Sequence, residues 1–166
     1  NVIDMGWTYS GCHNITGNPV CGPNVTAMSA TYNGCYNLTG APVCGPNVYN
    51  MHWTYRYCNN ITGSPACGNQ VINMWRAYEG CTNLTGAPAC GSSVTNMRYA
   101  YIQCTNLSGN AYFYSDEINN VEKCFGGRSN TASLNIYVNN NTNSFNCLLS
   151  TNSSSTLVGS NITWTN

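Results

Sequence analysis

Apolar and aromatic side chains return along this chain at a fixed interval of 23 residues. Val2, Val25, Val48, Val71 and Val94 form one column, and Met5, Met28, Met51, Met74 and Met97 form a second. Tyr9, Tyr32, Tyr55, Tyr78 and Tyr101 form a third. Cys12, Cys35, Cys58, Cys81 and Cys104 complete the set, and Cys21, Cys44, Cys67 and Cys90 repeat at the same interval. Coincident columns at one period mark a repeat architecture, in which a unit buries its apolar side only against its neighbours. Within each unit Val, Met, Tyr and Cys are 3, 4 and 3 residues apart, the spacing of one helix face, which predicts a short helix. Asn1, Asn24, Asn47 and Ser93 precede the Val column and suit a helix N-cap; Gln70 breaks this column, with Asn69 beside it. Gly-Pro pairs before Asn24 and Asn47 make the turn into the helix.

The first Cys of each unit is followed by Ile15, Leu38, Ile61, Leu84 or Leu107. Small or apolar residues stand three and five positions further on: Ala41 and Val43, Ser64 and Ala66, Ala87 and Ala89. This is the strand pattern of a leucine-rich repeat, with alternate side chains inward. Pro19, Pro42, Pro65 and Pro88 fall inside it and remove a ladder donor, so the strand is short, bent or ends near the Pro. The predicted fold is therefore an α/β leucine-rich-repeat solenoid, with short parallel strands on one face and short helices or turns on the other. Residues 1–110 supply five rungs of 23 residues. Beyond Asn110 the register is lost, for Phe113 stands where the next second-column Cys belongs and Asn120 where the next Met belongs. Val121, Cys124, the run from Leu134 to Val138, and Ile162 to Trp164 still read as core segments. Leu107, Leu134 and Ile162 are 27 and 28 residues apart. Residues 111–166 are thus expected to form two longer, degenerate rungs or a C-terminal cap, with polar loops at 139–146 and 150–155.

Stretches such as Gly80-Cys81-Thr82-Asn83-Leu84-Thr85 and Val94-Thr95-Asn96-Met97 resemble the BspA-like leucine-rich repeat. That family's 23-residue unit has a Gly-Cys-x-x-Leu core and an aromatic residue three before the Cys, where the Tyr column sits. Two features depart from it: Val-Cys-Gly or Ala-Cys-Gly replaces the family's Ile-Pro, and the Val and Met columns fall one residue late. The resemblance covers residues 1–110. It implies a surface protein that recognises or coats something, similar to repeats on bacterial antigens and adhesins, protist surfaces and phage proteins. The Cys124-Phe125-Gly126-Gly127-Arg128 string followed by Leu134 to Val138 is also similar to segments that follow such repeats in phage-borne and gut bacterial surface proteins.

Composition narrows the function. Only 6% of the 166 residues are charged and the formal net charge is zero, while Asn occurs 28 times. Five scattered cations are not expected to form the patch that nucleic-acid binding needs. No apolar run approaches the roughly 18 residues of a membrane span, so no membrane insertion is expected of this segment. The neutral polar and aromatic surface points to an extracellular location, on a cell or a virion. The sequence opens without an initiator Met or signal peptide, as expected after removal of a leader or in a fragment of a longer chain, and its start inside a repeat favours the fragment.

Eleven cysteines raise the question of metals and disulfides. No Cys-x-x-Cys pair occurs, so neither metal nor other cofactor is expected. The column of Cys12, Cys35, Cys58, Cys81 and Cys104 reads as buried, reduced packing, whereas the Cys21 column follows the strand and leaves cross-links open. Nine Asn-x-Ser/Thr sequons occur, at Asn14, Asn24, Asn37, Asn60, Asn83, Asn106, Asn140, Asn152 and Asn161, and the first, third, fourth, fifth and sixth of them repeat one turn motif. They carry sugar only if the protein meets the glycosylation machinery. Trp7, Trp53, Arg76 and Tyr99 share a column two residues after Met, off the buried face, with His52 and Trp75 beside them. Trp, Tyr and Arg on one face are good anchors for a protein or glycan partner; the alternatives are packing between neighbouring units and contact with another copy. His13 and His52 share no column, and Asp116, Glu117 and Glu122 fall in an expected loop, so no catalytic constellation is formed and no enzyme is expected. Two functions follow: a non-enzymatic surface solenoid for adhesion or recognition, or a structural coat, decoration or filament subunit that packs against its own copies. Ice binding, which also uses uncharged Thr-bearing repeats, is disfavoured by the single Thr16, Thr39, Thr62, Thr85 column.

Overall fold

A computed structural model describes residues 1–65, 67–113, 115–127, 134–139 and 160–165. The expected loops at 140–146 and 150–155 lie outside these residues, as does Arg128. Consecutive repeats pair in register through their main chains. Isolated parallel bridges join Asp4 to Ala27, Ala27 to Asn50, Asn50 to Asn73, Asn73 to Asn96 and Asn96 to Asn120.

Where the spacing predicts helices, the chain makes turns; no helix is present among the described residues. The reason lies in how the backbone N–H groups are shared out. Met5, Trp7, Tyr9 and Gly11 donate to the carbonyls of Ala27, Ser29, Thr31 and Asn33 in the next repeat. The residues between and after them, Thr8, Ser10 and Cys12, donate three residues back, to Met5, Trp7 and Tyr9. The same alternation recurs from Met28, Met51, Met74 and Met97. A helix would send every N–H to the residue four before it; here half of them are committed to the neighbouring repeat. The alternation needs left-handed backbone at Trp7, Ala30, Trp53, Arg76, Tyr99 and Lys123, and again near the first Cys, where Gly11, Gly34 and Gly80 are joined by Tyr57 and Gln103. Inward spacings of 3, 4 and 3 therefore arise from successive turns.

The strand side is also shorter than the pattern predicts. Its described strands are β1 (Ala89–Cys90), β2 (Gly109–Phe113), β3 (Leu134–Asn139) and β4 (Ser160–Thr165), all parallel in the order β1-β2-β3-β4. In the first two repeats the residue after Pro19 and Pro42 bonds a tyrosine hydroxyl, and after Pro88 a bond from the Tyr101 hydroxyl to the Ala89 carbonyl exists alongside β1. Val20 N–H donates to the Tyr32 hydroxyl at 3.0 Å, and that hydroxyl donates to the Val20 carbonyl at 2.7 Å. Val43 and Tyr55 repeat the pair at 3.1 and 2.7 Å. Ala111 stands where the next Pro belongs, and there the five-residue β2 forms: with a ladder donor restored, parallel pairing continues.

Register is kept past Asn110, a boundary that falls within β2. Phe113 pairs with Cys90, as its position in the column predicts. The Asn96–Asn120 bridge is then one residue longer than the others, so Val121 takes the Met place and Phe125 the Tyr place, stacked on Tyr101. Leu134 aligns with Gly109 and not with Leu107, and Ile162 with Ile136 and not with Leu134. The alternation of Ala111 and Phe113 inward fixes this, since a slip of one residue would turn Leu134 and Ile136 outward.

The core is a set of columns. Tyr9, Tyr32, Tyr55, Tyr78, Tyr101 and Phe125 stack with centroids 5.4 to 5.6 Å apart. Val, Met and Leu columns pack round them. Cys35, Cys58, Cys81 and Cys104 are fully buried, and each thiol donates to the carbonyl of the Tyr in the preceding repeat, at 2.9 to 3.0 Å. These cysteines fill space and satisfy an otherwise under-used acceptor; Cys12, in the first repeat, is exposed.

Candidate functional site

The turn following Met places two side-chain columns on the outside. Asn50, Asn73, Asn96 and Asn120 accept, through Oδ1, the N–H of His52, Trp75, Arg98 and Glu122, at 3.0 to 3.4 Å. The next residue takes positive φ: 58° at Trp53, 54° at Arg76, 56° at Tyr99. A large side chain there costs roughly 1–2 kcal/mol relative to right-handed backbone, so inter-repeat bonds and side-chain contacts must offset it.

Those contacts run along the ridge. The His52 ring lies on Trp75 at 4.6 Å and 4° between planes, and tilts against Trp53 at 4.5 Å. Trp53 and Trp75 are 5.8 Å apart. Trp7 meets Trp53 edge-on at 6.1 Å, passing over Ala30, and is 59% exposed. The Arg76 guanidinium sits 4.6 Å from the Tyr99 ring centre, Arg98 approaches the same ring at 5.0 Å, and Arg56 lies 4.3 Å from the centre of Tyr57. All six residues expected from sequence thus fall on one ridge. Trp7 is the open one; His52, Trp53, Trp75, Arg76 and Tyr99 are half-buried by each other and by their neighbours.

A charged network missed in the sequence supports them. Glu79 is buried, and its carboxylate accepts from Arg56 Nε and Arg76 Nη1, both at 2.8 Å, and from the Tyr57 hydroxyl at 3.0 Å. Burial acts to raise the Glu79 carboxyl, but the hydrogen bonds from Arg56, Arg76 and Tyr57 prevail and hold it below its ordinary value. Glu122, which accepts from the Tyr99 hydroxyl at 2.6 Å and pairs with Arg98 at 2.8 Å, is lowered chiefly by the Tyr99 bond. His52 is lowered by burial and then by Arg76, so its ring is neutral near pH 7. One signal was present in the sequence: Arg56 and Glu79 occupy the same column one repeat apart. His52 Nε2, Trp53 Nε1 and Trp75 Nε1 are buried without a hydrogen-bond partner.

Elsewhere the chemistry is quiet. Cys21, Cys44 and Cys67 are half-buried free thiols that donate to the following glycine carbonyl, and burial raises all three. The Asn37 and Asn106 amides donate to the preceding repeat, at His13 and Thr82. Among the described residues no group of His, Cys, Asp and Glu is arranged to hold a metal, and no helix is long and apolar enough to cross a membrane. The chain matches no protein-family model, no curated protein and no solved structure.

Proposed function

We propose that the chain is a non-enzymatic, leucine-rich-repeat-type solenoid that recognises a protein or glycan on a host or neighbouring surface, displayed outside the cell or on a virion. The observation that carries this reading is the ridge from Trp7 to Tyr99. Trp, Tyr and Arg dominate binding hot spots, and here stacking and Glu79 already fix their rotamers. Such preorganisation reduces the entropy lost on binding. The test is attachment of the labelled chain to bacterial and animal cells and to a glycan array, with Trp53→Ala as the variant. Attachment lost in a variant with wild-type circular dichroism supports the role; unchanged attachment removes the ridge as the site.

A second reading, a coat or filament subunit packing against its own copies, is favoured by one other feature. Ile3, Tyr49 and Ile72, 47 to 60% accessible, share one exposed column with Thr26 and Thr95. Sedimentation at rising concentration decides: regular multimers support it, and a monomer throughout excludes it.

A further inference from the structure

We infer that the ridge contains an anion site built on Arg56 and Arg76, and that the anion it takes is carried on a sugar chain, an acidic polysaccharide bearing carboxylates or sulfates. The inference rests on the ridge being a recognition surface. The cations scattered in sequence are gathered by the repeat: Arg56, Arg76, Arg98 and Lys123 come from four consecutive repeats, against two carboxylates, Glu79 and Glu122. Asp4 lies in the turn column of Asn50, two repeats away, so the excess of positive charge is local to Arg56 and Arg76.

That pair is organised for an oxygen-rich anion. One carboxylate, with its side chain 8% exposed, holds two guanidinium groups that are 24% and 28% exposed. One positive charge of that pair is uncompensated. Arg56 spends Nε on Glu79 and Nη2 on Tyr57, and Arg76 spends Nη1 on Glu79. Each guanidinium has five N–H donors, so donors remain for a bidentate anion. Glu79 works as a positioning residue that fixes the two groups side by side.

The surroundings select the carrier. Single-stranded nucleic acid is held by stacking bases on open ring faces; beside Arg56 and Arg76 the rings are occupied, with His52 on Trp75, Arg76 and Arg98 on Tyr99 and Arg56 on Tyr57, and the open ring of the ridge, Trp7, lies two repeats from Arg56. No pocket opens among the described residues to seat an apolar peptide anchor. What remains is one cation in each of four consecutive repeats, placed in three columns of the turns that follow the Met place. A linear polymer that carries anions along its length and can reach several repeats at once suits such a distribution.

The experiment uses the whole chain on immobilised polygalacturonate, dextran sulfate and uncharged dextran. Retention is expected on at least one polyanion and not on dextran, weakening at least tenfold between about 50 and about 200 mM salt. Arg76→Gln is expected to weaken it at least tenfold, and Lys123→Ala, remote from the Glu79 network, severalfold with folding intact. No retention on either polyanion, or unchanged retention in both variants, overturns the inference. Tighter binding of polyglutamate or oligothymidine than of either polysaccharide overturns the sugar assignment. Loss of cell attachment in Trp53→Ala without polyanion retention removes this site and leaves the surface role standing; polyanion retention without cell attachment does the reverse.

Discussion

Replacing Tyr55 by Phe removes one oxygen and leaves the stacked ring in place, which isolates the bond between the tyrosine column and the proline-bearing segment. The Tyr55 hydroxyl donates to the Val43 carbonyl at 2.7 Å and accepts from the Val43 N–H at 3.1 Å. The residue is fully buried, between Tyr32 and Tyr78. Two hydrogen bonds at about 1 kcal/mol each give a loss of about 2 kcal/mol. For a chain of this size that is a fall of about 4–8 °C in Tm. Water reaching half-buried Val43 would pull the loss toward the lower figure. The assay is urea unfolding followed by circular dichroism, with Tyr9→Phe as control, because no bond of this kind is made by Tyr9 among the described residues. The expected result is a lower midpoint with unchanged slope for Tyr55→Phe and no shift for Tyr9→Phe. A Tyr55→Phe midpoint equal to wild type would refute the idea that the tyrosine hydroxyl anchors the proline-bearing segment to the core.

Gly80→Ala sets a side chain at φ +74°, against the Tyr57 ring, and should cost about 2 kcal/mol or more in the same assay. Glu79→Gln leaves two guanidinium groups without their shared anion and should destabilise by about 1–3 kcal/mol, more than Glu122→Gln in the same melt. The Glu79 carboxyl is lowered in the folded chain, so its stabilisation is complete above the ordinary value of 4.5 and is lost as pH falls through the lowered folded value. An acid titration of Glu79→Gln should be flatter than wild type between pH 4.5 and that lowered value. His52, also lowered, contributes above 6.5 and loses that contribution as pH falls; His52→Phe should remove the acid-side step between pH 6.5 and the folded value. Iodoacetamide at about pH 8 should label exposed Cys12 first, because burial pushes Cys35 to about 11 and Cys58 further. Mass mapping that found Cys58 labelled as fast as Cys12 would contradict the buried column.

The sequence by itself determined the period, the inward columns and the outward ridge. Val, Met, Tyr, Cys and Leu recur at one interval, and a repeat that buries nothing alone must stack them in register; the same arithmetic aligned Phe113 with Cys90. Tertiary structure decided the backbone between the columns. Spacings of 3, 4 and 3 fit a helix or successive turns, and the choice depends on whether each N–H finds its acceptor within the repeat or in the next one. Tyr32 and Tyr55 reaching Val20 and Val43 is a contact across the core that no local pattern encodes. The one-residue insertion before Asn120 hid a further repeat, and only pairing of Asn96 with Asn120 restores its register. Arg56, Arg76, Arg98 and Lys123 read as scattered along the chain for the same reason. Sequence distance counts residues, whereas in stacked repeats the neighbour that sets charge, burial and bonding lies a full repeat away.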